Sequence, residues 1–112
     1  MQEIQSKKNI LDLTLKNIFF QDKLTSIKNK LKNTKYDKYV IKFDKIIPKL
    51  SIEKLNKIKL KLDKIDLDNK KYFKYRDILL YLRFKIEYFY INKHAEKYIF
   101  EEKTKDAIER TQ

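Results

Sequence analysis

Apolar positions recur with a helical period along almost the whole of this chain. Phe20, Leu24, Ile27 and Leu31 follow a 4-3-4 spacing, Leu13 stands one heptad before Phe20, and Ile10, Leu11, Leu15 and Ile18 widen the stripe. The pattern predicts a first helix over 8–32, capped by Ser6 or Asn9, with Gln21 and Asp22 marking a point where it could break. A polar stretch over 32–35 turns the chain. Tyr36, Val40, Phe43 and Ile47 then repeat the 4-3-4 spacing, with Tyr39 and Ile46 beside them. This second helix is expected to end near 46, because Pro48 has no N–H and biases Ile47 away from helical angles.

A third helix opens at Ser51, a capping residue flanked by Leu50 and Leu55 in the geometry of a hydrophobic staple. Leu55, Ile58, Leu62 and Ile65 carry it on. Within it Ile58, Leu60 and Leu62 alternate with Lys59 and Lys61 as a half-buried strand would. No turn residue stands nearby to fold a hairpin, so helix is the expected form. After a connector over 66–69, in which Asp68 or Asn69 can cap, Tyr72, Tyr75, Leu79, Leu82, Ile86 and Phe89 run at 3-4-3-4-3. Tyr88, Ile91, Ala95 and Tyr98 continue on a shifted face, which predicts a kink, a stutter or a break near Asn92, Lys93 and His94. Residues 1–7 and 104–112 read as frayed tails. The expected fold is all-α: one domain over 1–112, a compact four-helix bundle with a long, aromatic-rich carboxy-terminal helix.

Composition removes most catalytic chemistry from consideration. The chain has 42% hydrophobic residues, 8 Tyr and 7 Phe, enough for one core, but no Gly, no Cys and a single Pro. Phosphate-cradling loops and nucleophile elbows need glycine, while thiol nucleophiles, disulfides and cysteine metal sites need cysteine. His94 is the sole histidine and has no nucleophile to serve; Ser6, Ser26 and Ser51 sit in capping or solvated contexts. Asp66 and Asp68 are spaced as at the start of a calcium loop, yet no glycine follows and the twelfth position is Asp77. Glu101 and Glu102 lie in the polar tail without an apolar pocket. The expectation is a protein that is not an enzyme and uses no metal or cofactor.

The net charge is +12, and 25 of the 28 basic residues are Lys. Lys, Ile, Asn, Tyr and Phe share A/T-rich codons, so coding bias alone supplies part of this excess. Its placement is harder to assign to codons: residues 1–22 are neutral, 23–74 carry a net +11 and 75–112 a net +1. Lys35, Lys38, Lys42, Lys45 and Lys49 recur at 3-4-3-4, each just before an apolar position, and Lys54, Lys57, Lys61 and Lys64 repeat the pattern. Each ridge stands about 100° around its helix from the core line. One reading is a solvated edge whose methylene stems cover the core. The other is two adjacent cationic ridges that hold phosphates without selecting sequence, since lysine lacks the planar fork that reads bases.

Ten of the fifteen aromatics lie between Tyr72 and Phe100, on more than one helix face. They predict either a helix buried on two sides or a partner surface that includes Tyr81, Phe84, Tyr88 and Tyr90. No apolar run has the length of a signal peptide or a membrane span. The most apolar stretch, 78–91, contains Arg83, Lys85 and Glu87, so a cytoplasmic protein without a membrane span is expected. Residues 50–55 (LSIEKL) followed by 75–80 (YRDILL) resemble the opening of the catalytic domain of tyrosine recombinases. The chain departs from that family in lacking the glycine of the arginine-bearing turn and the His-x-x-Arg pair, so the resemblance implies no recombinase chemistry. The leading expectation is a small basic nucleic-acid-associated accessory protein with non-specific phosphate contacts. The alternatives are a cytosolic protein-binding inhibitor or immunity-type protein, or a structural protein that oligomerises, for instance as a homodimer, through the Tyr/Phe-rich helix.

Overall fold

A computed structural model describes the backbone of residues 2–111 and the side chains of 11–97. Four helices follow one another: α1 (Gln2–Leu31), α2 (Asp37–Ile46), α3 (Ile52–Asp63) and α4 (Arg76–Thr111), with 3-10 turns at Ile47–Lys49 and Lys70–Tyr75. The described residues contain no strand. The alternating segment over 58–62 belongs to α3, where Leu62 is buried and Leu60 faces out. An exposed leucine costs less than the unpaired backbone of an isolated strand.

Local chemistry sets the turns. Asn33 takes φ 66° just past α1, the left-handed position usually given to glycine, and in this glycine-free chain an asparagine tolerates it. The Thr34 hydroxyl donates to the Leu31 carbonyl at 2.6 Å and helps close the helix end. α2 ends at Ile46 as its sequence predicts, but Ile47 keeps helical angles (φ −58°, ψ −42°) despite Pro48. Pro48 occupies an early position of the 3-10 turn, where its missing N–H leaves no bond unmade, and the chain becomes extended only at Leu50. Ser51 caps α3 by accepting from the Lys54 N–H at 3.3 Å. Asn69 caps the 3-10 turn before α4 and not α4 itself.

Successive helices alternate in direction. α1 runs antiparallel to α4, because Gln21 meets Tyr88 and Asn17 meets Asn92. α3 does so as well, since Lys93 reaches Leu50 while Arg83 reaches Leu62. α4 is therefore the central helix: α1, α2 and α3 all pack on it, and α2 also leans on α1. The molecule measures 59 × 25 × 25 Å, long because α1 and α4 extend past the two short helices.

Two apolar clusters fill the seams around α4. Leu24, Ile27, Leu31, Val40, Ile78 and Tyr81 form one; Ile47, Leu55, Leu62 and Ile86 form the other; Phe43 of α2 touches both. The predicted core lines of α1, α2 and α3 hold, but that of α4 shifts. Tyr75 is exposed and Leu79 only half-buried, while Ile78, Tyr81 and Ile86 are the buried positions. A helix enclosed on two sides carries two lines, one toward α1 and α2 and one toward α3, and a single apolar stripe merges them. α1 is unbroken at Gln21 and Asp22, and α4 is unbroken through Asn92, Lys93 and His94. Of the polar residues that suggested a break, Gln21, Asn92 and Lys93 are bonded to neighbouring elements, while Asp22 and His94 face out.

Candidate functional site

Cations divide into two populations according to where they stand relative to α4. Those on the seams are bonded inward. Lys28 of α1 and Lys85 of α4 both reach the Asp44 carboxylate of α2 at 3.0 Å, and the Tyr81 hydroxyl donates to the same carboxylate. Burial pushes the Asp44 carboxyl up, but the bonds from Tyr81, Lys28 and Lys85 outweigh it and hold the group below its usual range. Burial first, then the bond to Asp44 and its charge, drives the Tyr81 hydroxyl well above the ordinary tyrosine value. Lys93 donates to the Pro48 carbonyl at 2.8 Å and to that of Leu50. Arg83 donates to the Leu62 carbonyl at 2.7 Å and closes the end of α3. Lys59 pairs with Asp63 at 3.2 Å and stands 3.8 Å from Glu87.

The two predicted ridges behave differently. Lys35, Lys38, Lys42, Lys45, Lys49, Lys54, Lys57, Lys61 and Lys64 are all exposed. None of them shares an ion pair with a carboxylate among the described residues. They run as two lysine tracks, one along α2 and its flanking turns and one along α3.

The expected aromatic partner surface is largely occupied by the fold. Tyr81 is 1% exposed, its ring in the first cluster and its hydroxyl on Asp44, so its assignment to a partner surface is overturned. Phe84 packs against Phe19 and Phe20 with ring centres 6.3 and 6.0 Å apart. Tyr88 accepts from the Gln21 side chain at 3.2 Å, and Tyr90 packs on the second cluster. All three are half-buried. A stripe of open apolar surface lies on α1, where Leu11, Leu15, Ile18 and Phe19 are 51–58% exposed. Leu11, Leu15 and Ile18 were expected to widen the inward stripe, but the line that faces α4 is the one through Phe20 and Leu24.

Sequence patterning missed the polar members of the seam. Asn17 and Asn92 exchange two amide hydrogen bonds, at 2.9 and 2.8 Å, between α1 and α4. A shallow cleft of about 430 Å³ lies beside them, lined by Gln21, Thr25 and Lys28 of α1 and by Tyr81, Lys85 and Tyr88 of α4. Both of its lysines are committed to Asp44. Among the described residues no three His, Cys, Asp or Glu side chains gather where they could hold a metal ion, and no helix is long and apolar enough to cross a membrane. Comparison with protein-family models, with curated proteins and with solved structures finds no match to this chain.

Proposed function

We propose that this is a non-enzymatic, cytoplasmic nucleic-acid-associated protein that holds phosphates without reading sequence, through the lysine tracks of α2 and α3 and their flanking turns. One observation carries the reading: the nine track lysines are exposed and, among the described residues, unpaired with carboxylates, whereas Lys28, Lys59 and Lys85 are each taken up by one. Lysines without an internal partner keep their full charge for an external polyanion.

Fluorescence anisotropy with a labelled duplex tests this. Affinity should fall with a slope of about −0.9 per phosphate contacted in log K against log salt, so five contacts lose about 500-fold between 50 and 200 mM. Changing base composition should have little effect. Reversing Lys42, Lys45, Lys57 and Lys61 to Glu should abolish binding with helix content intact. Absence of binding by the parent at 50 mM salt would overturn the proposal.

A second reading, self-association, is favoured by the open stripe of Leu11, Leu15, Ile18 and Phe19 on α1. It lies in the electrically neutral first part of the chain, where a second copy of this cationic protein can approach without repulsion. Leu15→Asp with Ile18→Asp should convert a dimer to a monomer in sedimentation equilibrium. A parent that is monomeric at about 100 μM, or a dimer that survives both substitutions, would remove this reading.

A further inference from the structure

At one end of the bundle the turn from α1 into α2 meets the 3-10 turn that leads into α4. Tyr36 stands at its centre, its ring 6.5 Å from that of Tyr39 and 6.2 Å, edge-on, from that of Tyr75. Tyr36 is itself packed against the first apolar cluster, which anchors the group. Tyr39 and Tyr75 are 42% and 49% exposed, and nearby in sequence Phe73 is 57% exposed. Along α4, among the described residues, the fold buries or half-buries its aromatics, as with Tyr81 and Phe84; here it leaves several open.

The same junction is strongly cationic. Residues 32–39 and 70–76 hold seven Lys or Arg side chains against one carboxylate, Asp37. The ammonium groups of Lys35 and Lys38 lie 5.3 and 5.2 Å from the rings of Tyr36 and Tyr39, and that of Lys71 lies 4.9 Å from the ring of Tyr72. Arg76 reaches Asp68 at 3.8 Å, while the junction's lysines have no carboxylate partner among the described residues. Exposed rings spaced among cations suit a chain that offers flat π-faces and phosphates in alternation. A single-stranded nucleic acid does so; a duplex keeps its base faces stacked inside.

We propose that Tyr36, Tyr39 and Tyr75 form a stacking platform for single-stranded nucleic acid, with Lys35 and Lys38 holding the phosphates on either side. The proposal rests on the phosphate-binding reading above and adds a preference to it. On binding, a base takes the place of the lysine over a ring, and the displaced ammonium moves to the adjacent phosphate.

The chain has no Trp, so its tyrosine fluorescence reports base stacking directly. Titration with a 15-nucleotide oligothymidylate should quench it, and the single strand should bind more tightly than a duplex of equal length. Tyr39→Ala with Tyr75→Ala should weaken the single strand about 5- to 150-fold for each base unstacked and leave duplex affinity unchanged. Tyr39→Phe with Tyr75→Phe should restore the parent value, because the ring face and not the hydroxyl does the stacking. Equal losses for single strand and duplex, or no loss for either, would overturn the platform while leaving the lysine tracks standing. Failure of the parent to bind either probe at 50 mM salt would overturn both.

Discussion

Along the seams around α4, Lys28 and Lys85 converge on Asp44, Asn17 and Asn92 exchange amide bonds, and Lys93 reaches across to the carbonyls of Pro48 and Leu50. On the outer faces of α2 and α3 and their flanking turns, nine lysines stand in solvent with no carboxylate partner among the described residues. Both regions use the same residue type. Position relative to α4 decides how a lysine is held: where its reach meets a carboxylate or a free carbonyl it becomes part of the fold, and elsewhere it stands in solvent.

The seam side of the comparison breaks most visibly if its apolar floor is removed. Ile86→Ala or Leu55→Ala, each at a fully buried position, should cost about 2–5 kcal/mol in urea denaturation. Leu79→Ala should cost clearly less, since Leu79 is only half-buried. Equal losses at Leu79 and Ile86 would mean that α4 presents one broad face to the core and not two lines.

Asp44→Asn sharpens the comparison next. It takes the carboxylate from three donors, and an effect of about 1.5–3 kcal/mol is expected at neutral pH. The sign with pH follows from the shift. Asp44 is held below its usual 3.8, so its contribution is full above that unfolded value and is lost as the pH falls through the lower folded value. The stabilities of parent and variant should converge in acid. Tyr81 is shifted the other way: its contribution is full below the ordinary value of 10.0 and declines above it, as the hydroxyl ionises in the unfolded chain first. Tyr81→Phe should remove that alkaline dependence.

The asparagine pair gives a smaller effect. Asn17→Ala leaves the Asn92 amide short of partners at a half-buried site and should cost about 1–3 kcal/mol. Replacing both by leucine should be near neutral, because no polar group is then left unpaired. The double variant is expected to keep its stability and to lose specificity of register between α1 and α4, seen as broadened amide resonances near position 17.

These residues also show what the sequence could reveal. The lines of α1, α2 and α3 were legible because Leu24, Ile27, Leu31, Val40, Leu55 and Leu62 sit at helical spacing on helices packed on one side. The Ser51 cap was legible for the same local reason. In α4 the line toward α1 runs through Ile78, Tyr81, Lys85, Tyr88 and Asn92, and two of those five side chains are polar. Hydrophobic periodicity skips them, so the line was invisible and Asn92 read as a break. Asn17 hides in the same way between Leu13 and Phe20. The lysine tracks were visible as a pattern, but the Tyr36–Tyr39–Tyr75 junction joins segments far apart in the chain, and no single-helix period encodes that.

The outer faces should give the smallest change in stability. Lys42→Ala and Lys57→Ala, at exposed positions without partners, should stay within about 0.5 kcal/mol of the parent. Reversing Lys42, Lys45, Lys57 and Lys61 together lowers a net charge of +12, and relief of self-repulsion should hold the melting temperature level or raise it slightly at low salt. At 0.15 M salt, where the screening length is about 8 Å, that gain should fade. A reversal variant that melts well below the parent at either salt would show that the lysine stems shield the core edge around Phe43 and Ile58. The outer lysines would then belong to the fold as Lys85 does, and the division between the two faces would be gone.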